Sequence, residues 1–130
     1  MGHVPWATRL QDFLDEAAAT PDGACCLFAI DDSIPEAARA GYGTLILAYA
    51  REGEPVTILT DGTSVLLIKE GGVSAGEVAA RRVISQMARI GLDHTLRAAV
   101  ALIGHDVDGV IARARRAALA AAPGEVGTAA

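Results

Sequence analysis

Apolar residues recur at helical spacing in the first part of the chain and then give way to a continuous apolar run. The core-facing positions of the first segment follow the helical pattern i, i+3, i+4 and i+7: Leu10, Phe13, Leu14 and Ala17. This spacing predicts an amphipathic helix from Trp6 to about Ala19. Residues 20–23 have turn composition, and the apolar run over residues 24–30 is typical of a strand covered on both faces.

A second helix and a hairpin are predicted in the middle of the chain. Ser33 followed by Glu36 fits a capping box, so we expect a helix to begin there. The pattern continues it toward Arg51. Residues 56–59 and 64–69 are aliphatic or β-branched, and an Asp-Gly pair lies between them. This arrangement predicts two strands joined as an antiparallel hairpin.

The remaining pattern predicts a helix, a strand and a last helix. Ser74 and Glu77 fit a second capping box, before a helix that ends at Gly91. Residues 95–103 have the apolar character of a strand. Asp106 is then placed to cap the final helix.

The order of these elements is α, then βαββαβ, then α. The two helical crossovers predict an α/β (α+β) domain with a ferredoxin-like βαββαβ core and extra N-terminal and C-terminal helices. We expect a mixed sheet with its helices mainly on one face. A single domain is predicted over residues 1–122, followed by a flexible tail over residues 123–130, where Gly, Thr and Ala dominate.

Composition and charge narrow the possible functions. The 130 residues are 52% apolar but only 4% aromatic, which predicts a core of small aliphatic side chains. A formal net charge of -5 argues against nucleic-acid binding, because that binding relies on clustered Lys and Arg. We interpret Arg113, Arg115 and Arg116 as a solvated helix face that matches the C-terminal end of the helix dipole.

The sequence also indicates the cellular compartment of the protein, through its two adjacent cysteines and the length of its apolar runs. Cys25 and Cys26 should point to opposite faces of a strand, so we expect buried free thiols in a reducing compartment. The sequence shows no basic and apolar leader and no apolar run of about 20 residues, which predicts a cytoplasmic protein without membrane contact. We also expect no cofactor and no bound metal, because neither a Gly-rich phosphate loop nor metal-ligand spacing is present.

Five stretches, taken in order, resemble those of GGDEF domains. They are residues 28–32 (FAIDD), 41–50 (GYGTLILAYA, as a shortened version of the helix after the first strand), 61–68 (DGTSVLLI), 96–103 (LRAAVALI) and 113–119 (RARRAAL). The resemblance covers nearly the whole chain and implies a GGDEF/nucleotide cyclase-like fold. It also implies that Asp31 takes the place of a metal-binding aspartate at the end of the first strand.

The same resemblance implies that the catalytic residues of the family are missing. In this alignment the acidic pair of the GGDEF signature motif falls on Thr63 and Ser64. Asp61 takes the position of the first glycine of the motif. Residues 33–40 contain neither the Lys nor the Asn that the family uses for phosphate and guanine, and the terminal lysine falls on Ala122. Two-metal phosphoryl chemistry needs converging carboxylates, so we expect no diguanylate cyclase activity.

The sequence therefore predicts a catalytically inactive GGDEF-like domain with a regulatory or protein-interaction role in a bacterial cytoplasm. A homodimer or another protein partner is expected, because family members work as dimers and apolar helix faces need covering. A guanine nucleotide or cyclic di-GMP is the candidate ligand. Its candidate binding residues follow the first strand or form the hairpin turn: Asp31, Asp32, Asp61, Gly62, Thr63 and Ser64.

Two alternatives stay open at this point. A roadblock-like dimeric scaffold is another small α/β module, but it predicts a β-hairpin directly after the first strand. A small metal-dependent enzyme would use Asp31 and Asp32 as paired carboxylates, and it needs a metal or substrate pocket beside them.

Overall fold

The computed structural model describes residues 7–129, so Trp6, predicted to begin the first helix, lies outside the described residues. The helices and strands follow the predicted order, with one strand added at the end. They are α1 Leu10–Ala18, β1 Ala24–Ile30, α2 Glu36–Tyr49, β2 Val56–Ile58, β3 Ser64–Ile68, α3 Gly72–Arg89, β4 Leu96–Leu102, α4 Val107–Ala120 and β5 Val126–Thr128. A short 3₁₀ turn, Asp93–Thr95, precedes β4.

The strands form one sheet in the order β2-β3-β1-β4-β5. Each neighbouring pair among the first four strands of that order is antiparallel, as a ferredoxin-like core requires, and the predicted hairpin of β2 and β3 is confirmed. The sheet is mixed only because β5 pairs in parallel with β4. The prediction of a frayed tail is wrong for Val126–Thr128, which form this fifth strand.

Helices cover both faces of the sheet, so the prediction that they lie mainly on one face is wrong. One face packs under α2 and α3, with Phe28 and Leu66 against Ile46 and Met87. The other face packs under α1 and α4, and its buried residues include Phe13 and Val110. Both sides of β1 are consequently buried, which explains its uninterrupted apolar sequence.

Three of the predicted local contacts differ in the structure. Neither Ser33 nor Ser74 caps a helix: α2 begins after Pro35 and α3 after Gly71, both without a side-chain cap hydrogen bond. Leu10 was assigned to the core, but it is 44% exposed. The Asp106 cap is confirmed, because its Oδ1 accepts a hydrogen bond from the Gly109 amide at 3.1 Å.

The two cysteines lie back to back in the core. Cys25 packs on the face of α1 and α4, Cys26 packs on the face of α2 and α3, and both are buried free thiols. Burial raises the pKa of Cys25 to about 12 and raises the pKa of Cys26 further. The Cys26 thiol donates to the carbonyl of Gly76 at 3.1 Å, where α3 lies directly on the sheet.

Within residues 7–129, no helix has both the length and the apolarity needed to cross a bilayer.

Candidate functional site

The loop after β1 and the turn between β2 and β3 lie at the same end of the sheet. Phe28 of β1 pairs with Ser64 of β3, so the end of β1 lies beside the residues that precede β3. A Cβ built on Gly62 would lie 3.1 Å from Cδ1 of Ile30. The two groups of candidate residues that were predicted separately are therefore adjacent in space.

The β2–β3 turn is held by its own backbone and by one arginine from α4. Gly62 has φ +88° and donates its amide to the Leu59 carbonyl at 2.9 Å, a conformation that favours glycine. The Asp61 carboxylate accepts the Thr63 amide at 3.0 Å and Nη1 of Arg115 at 2.8 Å. The same Arg115 nitrogen lies 3.3 Å from the Thr63 hydroxyl. One guanidinium therefore holds both ends of the turn.

These contacts change the acidity of Asp61. Partial burial raises the pKa of the carboxyl, but hydrogen bonds from Thr63 and the adjacent Arg115 charge outweigh it, and the net pKa lies below the ordinary value. Asp61 is therefore a charged partner of Arg115 at neutral pH. Because Arg115 already compensates the charge of Asp61, this carboxylate is a poorer ligand for a cation than a free carboxylate.

Asp31 and Asp32 have different partners. Asp31 accepts hydrogen bonds from both the amide and the hydroxyl of Ser33, which lower its pKa, and the charges of Arg97 and Arg39 add to this. Asp32 has a fully exposed side chain, and its nearest cationic partner is Arg39 at 3.9 Å. The Ser33 hydroxyl that was predicted to cap α2 is thus bound to Asp31 instead.

Helix α2 covers the turn at Gly62. A Cβ on Gly62 would come within 2.9 Å of Cβ of Arg39 and 3.4 Å of its carbonyl oxygen. The Arg39 guanidinium reaches past the turn, where Nη2 donates to the Asp31 carbonyl at 3.3 Å. The close approach that glycine permits at this position is therefore used by α2.

The two residues at the signature positions are buried and neutral. Thr63 is 3% exposed and Ser64 is fully buried. Thr63 contacts Arg115, whereas the Ser64 hydroxyl has no hydrogen-bond partner among the described residues. Ser64 follows the alternation of Leu66 and Ile68, so its side chain lies on the face that α2 and α3 cover.

Across residues 7–129, no three His, Cys, Asp or Glu side chains are grouped so that they could hold a metal ion. At this end of the sheet Ser33 donates to the Asp31 carboxylate and Arg115 to the Asp61 carboxylate, while the Arg39 guanidinium donates to the Asp31 carbonyl. Chemically, the arrangement is a network of charge-assisted hydrogen bonds that fixes the two loops. The geometry offers no support for paired catalysis by Asp31 and Asp32.

Sequence reasoning missed the two arginines that organise the site. The interpretation of Arg115 as part of a solvated helix face is wrong, because it binds Asp61 across 54 positions of sequence. Arg113 binds the Asp106 carboxylate at 2.9 Å, and of the three arginines only Arg116 is exposed. The match to the helix dipole is also wrong, because α4 has no basic residue in its last turn. Neither Arg39 nor Arg115 stands in a motif that reveals its partner.

Solved structures of GGDEF domains are similar to this chain over most of its length. The GGDEF domain of TpbB (YfiN) from Pseudomonas aeruginosa is 18% identical with a TM-score of 0.73, over 97% of this chain and 92% of that one. The coiled coil and GGDEF domain of DgcB from Caulobacter crescentus, in complex with c-di-GMP, is 14% identical with a TM-score of 0.68, over 95% and 82%. A diguanylate cyclase/phosphodiesterase from Caldicellulosiruptor saccharolyticus is 12% identical with a TM-score of 0.60, over 92% and 85%.

No protein-family model matches the chain, and no curated protein matches it significantly. At identities below 20% the structural likeness shows the fold, and the expected GGDEF cyclase-like architecture is confirmed. The roadblock-like alternative does not fit, because the helix α2 follows β1 where that alternative needs a hairpin.

Proposed function

We propose that this chain, whose fold is that of GGDEF domains, is a catalytically inactive regulatory or protein-interaction domain of the bacterial cytoplasm. The observation that carries the proposal is the β2–β3 turn. Its two signature positions hold the buried, uncharged Thr63 and Ser64, and its remaining carboxylate, Asp61, is bound to Arg115 at 2.8 Å. Two-metal phosphoryl transfer requires several free carboxylates around the ions.

The neighbouring loop supports the same conclusion. A cation beside Asp31 would compete with two hydrogen bonds from Ser33 and with the nearby Arg39 and Arg97 charges. Asp32 points to solvent and supplies at most one further ligand. Mg²⁺ prefers near-octahedral oxygen coordination, and arginines beside the carboxylates oppose it electrostatically.

Weak binding of a guanine nucleotide or cyclic di-GMP is a second part of the proposal. The DgcB domain, which has this fold, was solved in complex with c-di-GMP. In this chain the groove would consist of Asp31, Asp32 and the turn over residues 61–64. A nucleotide that approached Gly62 would have to displace Arg39, so we expect low affinity.

Self-association and location complete the proposal. A domain without its own catalytic output would act through contacts with another chain or with a second copy of itself. We place it in the cytoplasm because Cys25 and Cys26 are buried free thiols, which a reducing compartment preserves. Analytical ultracentrifugation of the purified chain distinguishes a monomer from a homodimer.

The decisive experiment is incubation of the protein with GTP and Mg²⁺ or Mn²⁺, with an active cyclase as positive control. We expect no cyclic di-GMP by chromatography. Formation of cyclic di-GMP by this chain, and not by an Asp31→Ala variant, would overturn the proposal.

The ligand part is tested separately by calorimetric titration with GTP and cyclic di-GMP up to about 1 mM, the range in which binding free energies are near 4 kcal/mol. If heat is observed, Asp61→Asn should change it and Arg81→Ala, on the exposed side of α3, should not. Absence of heat for every nucleotide removes the groove as a nucleotide site and leaves the proposed protein-interaction role.

A further inference from the structure

The first part of α2 contacts the rest of the domain much less than the second part does. Between Glu36 and Gly41 only Arg39 is partly buried, with 20% of its side chain exposed. Burial begins at Tyr42 and continues through Gly43 and Ile46. The helix is therefore anchored from Tyr42 onward.

The beginning of α2 also lacks a cap. The residue at the cap position is Pro35, which supplies no side-chain hydrogen bond. Ser33, the nearest hydroxyl before it, is bound to Asp31. The first backbone N–H groups of the helix thus have no side-chain acceptor, and such helix ends open readily.

Arg39 is the principal contact that holds this segment down. Its guanidinium donates to the Asp31 carbonyl at 3.3 Å and lies 3.9 Å from the exposed Asp32 carboxylate. Both distances are long for a charged donor, and the Asp32 carboxylate is exposed to solvent. The Cβ and carbonyl of Arg39 close over Gly62.

Gly41 stands at the boundary between the loosely held part and the anchored part, and Gly43 lies at the start of the anchored part. Gly41 is exposed, and a Cβ built on it would meet nothing within 4 Å, so a side chain at this position would have no neighbour to pack against. A Cβ at Gly43 would lie 2.8 Å from Cδ1 of Ile58, which shows how closely the helix lies on β2 at that point. Glycine in a helix interior lowers the cost of unwinding there.

We infer that residues 36–41 form a lid over the Gly62 turn, latched by Arg39 and hinged at Gly41. The lid opens when the start of α2 unwinds, and opening uncovers the groove beside Asp31 and the turn. What enters the groove rests on the proposed function, but the opening itself does not.

Amide hydrogen exchange of the full chain, followed by NMR without any ligand, tests the lid. We expect the amides of Ala40 and Gly41 to exchange faster than that of Ile46 in the same helix. Arg39→Ala should accelerate exchange at Ala40 and Gly41 about five-fold, the effect of losing one exposed ion pair. The Leu27 amide in β1 reports global unfolding, in which the Arg39 contact is also lost, so it should accelerate by no more than the same factor.

A second variant acts in the opposite direction and keeps the test independent of the first. Gly41→Ala should slow exchange at Ala40 about five-fold, because alanine favours the helix and its Cβ meets no neighbour. Arg81→Ala, which removes an exposed ion pair within α3, is the matched control and should leave α2 unchanged.

Equal protection at Ala40 and Ile46 in the wild-type chain would overturn the lid. Exchange at Ala40 that depends on denaturant as steeply as exchange at Leu27 would overturn it as well, because opening would then be global. If nucleotide fails to bind even to Arg39→Ala while the exchange results hold, the groove of the proposed function is refuted and the lid stands.

Discussion

Helices α2 and α4 have the same length, 14 residues, and each brings an arginine to the β2–β3 turn, but the domain holds them differently. α4 begins at the Asp106 cap, packs Val110 and Ala114 into the core, and binds Asp61 directly through Arg115. α2 has no side-chain cap and contacts a carbonyl through Arg39. The α4 side of the turn is therefore held by a capped helix and a short ion pair, and the α2 side by one long hydrogen bond.

The largest expected effect on stability comes from a substitution in the anchored half of α2. Ile46→Ala should lower the free energy of unfolding by about 3 kcal/mol, because Ile46 is fully buried and its truncation leaves a cavity. Chemical denaturation measures this change. Ala38→Gly, in the exposed first part of the same helix, should cost less than about 1 kcal/mol. Equal costs for the two substitutions would show that the whole of α2 is anchored.

The cap of α4 gives the next effect. Asp106→Ala removes the acceptor of the Gly109 amide and the partner of Arg113, and should cost about 1–2 kcal/mol. Thermal unfolding is the measurement. Asp108→Ala, which changes an exposed carboxylate in the same first turn, is the matched control. If Asp106→Ala destabilises the domain no more than Asp108→Ala does, the first turn of α4 is held as loosely as that of α2.

The Arg115 contact should make a smaller, pH-dependent contribution. Arg115→Ala should cost about 1 kcal/mol at neutral pH, because solvent screens a pair that is only partly buried. The folded pKa of Asp61 lies below its ordinary value of 3.8, so this contribution is present above that value. It should disappear as the pH falls below 3.8 and Asp61 becomes protonated.

Denaturation of wild type and Arg115→Ala at several pH values measures the difference. Arg116→Ala, on the exposed side of α4, should show neither the cost nor the pH dependence. A difference between wild type and Arg115→Ala that persists in acid would assign the role of Arg115 to packing and not to the Asp61 charge.

The smallest effect should come from the hydroxyl beneath α2. Ser64→Ala should leave stability unchanged or raise it by about 0.5 kcal/mol, because the buried hydroxyl has no partner. Thr63→Val, one position earlier, removes an acceptor from Arg115 and should destabilise the domain. If Ser64→Ala destabilises more than Thr63→Val in denaturation, the Ser64 hydroxyl has a hydrogen-bond partner in the folded domain.

Much of the fold could be predicted because its signals are local. The apolar run of β1, the Asp-Gly turn of the hairpin and the Asp106 cap each depend on residues close in sequence. The cap predictions for Ser33 and Ser74 failed because other partners were available or the helix began earlier. Ser33 binds Asp31, and α3 begins at Gly72, so that Ser74 lies inside the helix.

By itself the sequence determined the order of elements, the hairpin, the neutral residues at positions 63 and 64, and the position of the acidic residues at two loops. The tertiary structure alone decided that α1 and α4 cover the second face, that residues 126–128 pair with β4, and that Arg39 and Arg115 hold the two loops. The physical reason is the distance along the sequence over which each kind of interaction acts. Backbone preferences and capping act over a few residues, whereas an arginine selects its carboxylate only after folding brings distant segments together.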